Sequence, residues 1–262
     1  MGAGDRGIPA GQAGGWQRGV SGLVILHTND MHNRLREERA ERLRQIVEEE
    51  RARYPCLLLD AGDAVGAGNV TFNPAGEPIL DLMSDIGYTA MTVGNREFHL
   101  TEVGFHTKLN RARFPVLCAN VRPRNGARLP VQPYLLLEVG ERRVGIIGLT
   151  VPMITERMLS RHVSAYVFDD PVQRGCELAE ELRPQVDLLI ALTHIGLKRD
   201  MELAQATDRI DLIIGGHSHT LLEEPLREGN AVIVQTGAHA RYVGRVLVAP
   251  DSIEGSLLPL TV

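Results

Sequence analysis

The stretch Leu23 to His32, LVILHTNDMH, decides how the rest of the chain is read. Its first half is a run of Leu, Val and Ile that suits a strand buried on both faces. Its end carries Asp30 and His32 with Met31 between them, so a carboxylate and an imidazole leave the strand together and can reach one cation. An Asp-x-His pair arises by chance in many chains. It gains meaning only if other strands end in ligands too.

They do. CLLLD at Cys56–Asp60 is a short apolar strand broken by Ala61-Gly62 before Asp63. Ala90–Val93 reads as a strand that turns out at Gly94-Asn95-Arg96-Glu97. Leu188–Leu192 runs into Thr193-His194, and Leu212–Ile214 runs into Gly215-Gly216-His217-Ser218-His219. Helical spacing of Leu35, Leu43, Ile46 and Val47 predicts a helix over 35–53, and further helices are expected over 78–86, 101–112, 171–183 and 199–207. Pro115–Ala119 reads as a strand, 134–139 and 142–149 as a hairpin about Gly140-Glu141, and strands 231–236 and 243–249 close the chain. Repeated β-α order predicts an α/β protein, either one mixed sheet or two stacked sheets flanked by helices.

Each polar strand end has an ordinary explanation when taken singly. Asp63 and Asn95 follow glycines and suit turns, and His194 suits a hydrogen-bonded core. Together they are seven: Asp30, His32, Asp63, Asn95, His194, His217 and His219. In α/β sheets functional groups gather beyond the carboxyl ends of strands. One mononuclear zinc site takes three or four ligands, so this set is large enough for two cations sharing a carboxylate. Two divalent ions bring four positive charges; two aspartates and a bridging hydroxide leave a positive centre suited to an anionic substrate. Ions roughly 3.5–4 Å apart stabilise both the attacking and the leaving oxygen of an in-line displacement. Phosphoester hydrolysis by metal-bound hydroxide uses such a centre best.

The remaining sequence bounds this reading. The chain has 262 residues and a net charge of -5, which gives no footprint for bulk nucleic-acid binding. No apolar run reaches membrane-spanning length. Cys56, Cys118 and Cys176 are too few and too scattered for a disulfide framework or a cysteine metal site. Residues 1–21 are rich in Gly, Ala and Gln without a signal-type apolar block, and read as a flexible tail before a catalytic domain over 22–262. A cytoplasmic location is the expectation; the oligomeric state is not indicated.

The stretches LHTNDMHNRL, LLLDAGD, GYTAMTVGNREF, FPVLCANV, VGIIGLT, ALTHIGL and IDLIIGGHSHT, from about Leu23 to Leu247, give the chain a family resemblance. It resembles the catalytic domain of the 5'-nucleotidase and 2',3'-cyclic phosphodiesterase branch of the calcineurin-like metallophosphoesterases. The resemblance implies a four-layer α-β-β-α sandwich, two mixed sheets between helices, with a dinuclear centre at the carboxyl ends of strands. It implies that Asp30, His32, Asp63 and His219 hold the first metal. Asp63 would bridge to a second, completed by Asn95, His194 and His217. It also implies a small phosphorylated, nucleotide-like substrate. Mn²⁺ is the expected metal, with Fe²⁺, Zn²⁺, Co²⁺ or Mg²⁺ as alternatives; imidazole ligands disfavour Mg²⁺.

Two departures stand out. The family motif Gly-Asn-His-Glu, continued by Phe-Asp, is here Gly94-Asn95-Arg96-Glu97-Phe98-His99. In the family the His assists at the leaving oxygen and the Asp orients it. Arg96 stays charged and cannot be a general acid, but it can bind phosphate oxygens beside Asn95. His99 is then expected either to supply the proton or simply to cap and pack beside the site. Family members also usually carry a C-terminal domain with base-stacking aromatics and phosphate-binding arginines. The chain ends soon after its last predicted strand, so a single catalytic domain open to monoesters and diesters is expected, with Arg34 and Arg241 as weaker phosphate candidates better suited to the surface. The reading from another class is a non-catalytic, metal-binding regulatory or assembly protein.

Overall fold

A computed structural model of the chain describes residues 22–261; the predicted tail over 1–21 lies outside the described residues. The first half alternates β1 (Leu23–Thr28), α1 (Glu37–Arg51), β2 (Cys56–Asp60), α2 (Pro78–Ile86), β3 (Ala90–Thr92), α3 (Glu102–Leu109) and β4 (Val116–Leu117). Next come β5 (Val121–Pro123), the hairpin β6 (Tyr134–Val139) and β7 (Arg142–Thr150), and β8 (Tyr166–Phe168). The second half is α4 (Pro171–Leu182), β9 (Leu188–His194), α5 (Leu197–Ala206), β10 (Leu212–Ile214), β11 (Leu226–Glu228), β12 (Ala231–Val234), β13 (Tyr242–Val248) and β14 (Ile253–Pro259).

The strands form two six-stranded mixed sheets, ordered β14-β13-β1-β2-β3-β4 and β11-β12-β10-β9-β7-β6. Period-two alternation explains how they stack. On β1, Leu23 and Ile25 enter the core shared by the two sheets, while Val24 and Leu26 face the cluster that packs α1 and α2. On β9, Leu188, Ile190 and Leu192 enter that shared core, and Leu189 and Ala191 face α4 and α5. Both faces of each central strand are therefore apolar, which is why these strands read as unbroken hydrophobic runs. The layers are helix, sheet, sheet, helix, as the resemblance implied.

Several boundaries differ from the sequence reading. Leu35 is buried but precedes α1, and α3 stops at Leu109 rather than 112. The helix expected from 199 starts at Leu197, because Gly196 at φ +83 turns the chain directly into it. The chain does not close on 243–249: β14 pairs with the whole of β13, Tyr242 with Pro259 through Val248 with Ile253. A two-stranded ribbon of β5 and β8 was also not anticipated.

What matters for function is where the strands end. β1, β2 and β3 are parallel neighbours, as are β9 and β10, so the two sheets present five carboxyl ends at one edge.

Candidate metal centre

The loops after β1 and β2 are zipped together by backbone. Asp30 N–H donates to Gly62 O and His32 N–H to Asp63 O, both at 2.9 Å, and Asn33 N–H donates to Ala64 O at 2.8 Å. Asp30, His32, Asp63, His217 and His219 all have positive φ, between 48° and 75°. Left-handed backbone at a non-glycine residue costs on the order of 1–3 kcal/mol, so its concentration at one edge marks a site whose side chains are aimed. Two glycines let the loops close. A Cβ at Gly62 would sit 2.7 Å from Gly94 N and 2.9 Å from His194 Nδ1, and one at Gly216 would sit 2.7 Å from Ala61 O.

These constraints bring all seven ligand-type side chains together. Asp30 Oδ1, His32 Nε2 and His219 Nε2 form one group, with the two imidazole nitrogens 3.1 Å apart and Asp30 3.2 Å from His219 and 3.8 Å from His32. Asp30, Asp63 and His194 form a second group, with His194 Nε2 3.5 Å from Asp63 Oδ1 and 4.0 Å from Asp30 Oδ1. Asn95 Oδ1 completes the second group, 3.3 Å from His194 Nε2 and 3.0 Å from His217 Nδ1. Asp30 is the carboxylate common to both groups, whereas the family pattern assigns the bridge to Asp63. Here both Asp63 oxygens also face Arg96, whose N–H donates to Oδ1 at 2.7 Å and whose Nε lies 3.5 Å from Oδ2.

The residues fit divalent cations. Asp30 is completely buried; its Oδ2 accepts from Asn29 Nδ2 and from His217 N–H, yet its Oδ1, aimed at three imidazoles, has no hydrogen-bond partner. A buried carboxylate oxygen without a donor is costly, and a cation satisfies it. His194 Nδ1–H donates to Ala61 O at 2.7 Å, which fixes the ring so that Nε2 faces the aspartates. Burial alone would lower its pKa, but the hydrogen bond and charge of Asp63, then Asp30 and Ala61 O, outweigh it and raise the value to about 9. The aspartates thus draw positive charge to this point.

Glu97 was missed as a functional residue. It is fully buried, and its Oε2 accepts from Asp63 N–H at 2.9 Å and Gly94 N–H at 2.8 Å while Oε1 accepts from Val65 N–H at 3.0 Å. It therefore clamps the Asp63 loop to the Asn95 turn. Burial, then the charge of Asp63, lifts its pKa to about 7 against those hydrogen bonds. Its only signal in sequence was its place in Gly94-Asn95-Arg96-Glu97. Lys108 is also buried; its Nζ donates to Gly68 O and Arg96 O at 2.6 Å and to Phe98 O at 3.2 Å, holding the turn from the α3 side.

Of the two motif departures, only Arg96 reaches the cluster. Its Nη1 donates to Gly66 O at 2.9 Å, and its half-buried guanidinium stands beside Asp63. The hydrogen bonds of His99 stay at the start of α3. Its Nδ1 accepts from Thr101 N–H at 3.1 Å and meets Thr101 Oγ1 at 2.9 Å, its ring packs edge-on to Phe72, and a Cβ at Gly104 would collide with it. These are the contacts that the packing alternative expects. A histidine that sequence reading did not single out, His239, stands next to the first group, its ring 5.4 Å from His32 and 6.0 Å from His219.

The calcineurin-like phosphoesterase family model matches residues 23–221. The trifunctional nucleotide phosphoesterase protein YfkN of Bacillus subtilis (strain 168) is 33% identical over 272 residues, covering 89% of this chain and 18% of that protein. The 5'-nucleotidase of Homo sapiens is 32% identical over 233 residues, covering 80% of this chain and 39% of the relative. The crystal structure of a 5'-nucleotidase precursor from Thermus thermophilus aligns with a TM-score of 0.76 at 29% identity, over 91% of this chain and 54% of that one. The chain thus spans about half the length of these relatives, or less. With a family match that runs from β1 past His219, this chain belongs to the calcineurin-like phosphoesterases.

Proposed function

We propose that this chain hydrolyses phosphoesters at a centre of two divalent cations. The observation that carries the reading is the buried, donorless Oδ1 of Asp30, facing His32, His194 and His219. With the bridge placed at Asp63 by the family pattern, Asp30, His32, His219 and Asp63 would hold one cation and Asp63, Asn95, His194 and His217 the other, with Asp30 close to both. Two bound divalent cations supply a water acidic enough to ionise near neutrality and positive charge for the displaced phosphoryl oxygens.

The chain's own residues do the rest. Asn95 and the Arg96 guanidinium bind the phosphoryl oxygens, Arg96 as a fork that stays charged. Glu97 and Lys108 fix the turn that carries both. His99 acts through packing at the start of α3. Nucleotides are the substrates we favour, supported by relatives that are nucleotide phosphoesterases and 5'-nucleotidases. Mn²⁺ is the metal we favour, supported by mixed imidazole and carboxylate ligands. A cytoplasmic setting belongs to the same proposal. It is supported by three free cysteines, of which Cys56 and Cys118 have thiols pushed up to about 12 by burial. No helix among the described residues is long and apolar enough to cross a membrane.

The test is metal content and turnover of Mn²⁺-reconstituted protein on p-nitrophenyl phosphate, bis(p-nitrophenyl) phosphate and nucleotides. The expected result is two bound Mn²⁺ per chain and release of nitrophenol. Two tightly held metals without turnover of any ester would favour the non-catalytic, regulatory role.

A further inference from the structure

The outer rim of the centre carries positive charge that the seven ligand-type residues do not explain. His239 is exposed and has a φ of +66°, followed by Ala240 at +51°, a pair of consecutive non-glycine residues in the left-handed region. Backbone contacts hold this turn in place: His239 N–H donates to Asp30 O at 2.8 Å, and Arg39 Nη1 donates to His239 O at 2.6 Å. The turn sets the His239 ring beside His32 and His219, at the lip of the first cation group. Arg34 and Arg241 are exposed; Arg241 lies two residues beyond His239, and Arg34 is tied to the same turn through Arg39, whose Nη1 donates to both Arg34 O and His239 O. Arg34 also lines a surface groove with Arg36, Glu37, Glu38 and Arg39.

Many arginines elsewhere on this surface are matched to acids, as in Arg122 with Asp169, Arg143 with Asp187, Arg199 with Asp170 and Arg245 with Glu50, although Arg51 and Arg227 donate to carbonyl oxygens instead. On the rim, arginines of the second kind are grouped beside the centre. Arg39 and Arg241 spend their hydrogen bonds on carbonyl oxygens, those of His239, Arg34 and Ala238. Among the described residues no carboxylate pairs with Arg34, Arg39 or Arg241, and guanidinium forks so placed suit phosphate oxygens in the bidentate geometry.

We propose that Arg34, His239 and Arg241 form a second anion subsite, which takes a phosphate carried by the substrate in addition to the one being cleaved. The inference rests on the hydrolase reading for the position of the cleaved ester. That ester lies among the ligand-type residues, with Arg96 beside Asp63. The rim lies beyond His32 and His219. A substrate bridging the two is an organic bisphosphate, with its second phosphate joined directly or through one sugar. The rim is exposed, so its contribution weakens with salt.

The test compares adenosine 3',5'-bisphosphate with adenosine 5'-monophosphate on the Mn²⁺-loaded full chain, in wild type and in the double variant Arg34→Gln/Arg241→Gln. Wild type is expected to prefer the bisphosphate in kcat/KM by about tenfold or more, as one or two charge-assisted hydrogen bonds would give. In the double variant the ratio is expected to fall to near unity. A ratio near unity in wild type, or one that survives the substitutions, overturns the subsite. Calorimetric binding of methylenediphosphonate against methylphosphonate to the same two proteins needs no turnover. Loss of the diphosphonate preference in the variant supports the subsite even if no ester is cleaved, and that combination overturns only the hydrolase reading. Equal affinities for the two phosphonates in wild type overturn the subsite alone.

Discussion

Glu97 joins two loops by accepting from three backbone amides, and its neutral isostere cannot do the same. In Glu97→Gln one oxygen becomes an NH₂ group. If it replaces Oε2 it faces the N–H groups of Asp63 and Gly94; if the amide flips, it faces Val65 N–H. Either way a buried donor meets a donor, a loss of about 1–3 kcal/mol. The Asp63 loop then loses its register with Asn95. The expected outcome is a Mn²⁺ affinity weakened about tenfold or more, the scale seen when residues supporting metal ligands are changed. Metal titration by calorimetry checks it, and wild-type affinity in the variant would show that the loops are held by other means. At this scale the sequence revealed which residue types assemble but not what aims them. Asp30 and His32 announced themselves at a strand end. The role of Glu97 depends on amides from a loop more than thirty positions earlier, which no local pattern encodes. The setting of His99 was likewise not readable from its motif position: the Thr101 hydroxyl and the space left by Gly104 hold its ring at the start of α3.

Among the elements, α5 carries a buried acid that no arginine or lysine pairs among the described residues. Asp200 is fully buried, accepts from Thr193 Oγ1 at 2.6 Å, and leaves Oδ2 without a partner. Burial lifts its pKa to about 7, although the Thr193 bond and the His194 charge oppose the rise. The folded state therefore binds a proton that the unfolded state has already lost between the ordinary carboxylate value and pH 7. Its contribution to stability is complete below the unfolded pKa and is lost as the pH rises through about 7. Relative to Asp200→Asn, wild type should lose up to about 1.4 kcal/mol of stability for each pH unit between the ordinary carboxylate value and about 7, and little more above it. Urea unfolding of both proteins at pH 4.5 and pH 7.5 measures it; parallel pH dependence in the two would remove Asp200 as the cause. Helices and central strands were readable because their apolar periods are strong. β14 was not, since IEGSLLP mixes Gly and Ser with apolar residues, is only partly buried, and pairs on one side alone. β5 ends in Pro123 and β11 in a charged pair around Arg227, so neither carries a strand pattern of its own.

For the whole molecule, the centre draws Asp30, His32, Asp63 and Asn95 from one sheet and His194, His217 and His219 from the other. Cations bound there would tie the two sheets across their shared core and stabilise the folded state as a unit. Mn²⁺ at about 100 times its Kd should add about 2.7 kcal/mol for one site. A single calorimetric transition should move to higher temperature and return when a chelator is added; a transition indifferent to Mn²⁺ would argue against a metal centre. The two-sheet stacking followed from family resemblance, whereas β-α order alone left one sheet or two open. The path of β1 has a further consequence, for how the protein is made. β1 lies between β2 and β13, Leu23 opposite Val248, so its second partner is synthesised long after it. Through that interval the newborn chain presents an apolar strand with an open edge, a template for pairing with the wrong neighbour. Sealing it depends on one of the most distant contacts in the fold, the kind that closes slowly. During synthesis, the strand that later positions Asp30 keeps one edge unpaired until β13 has been made.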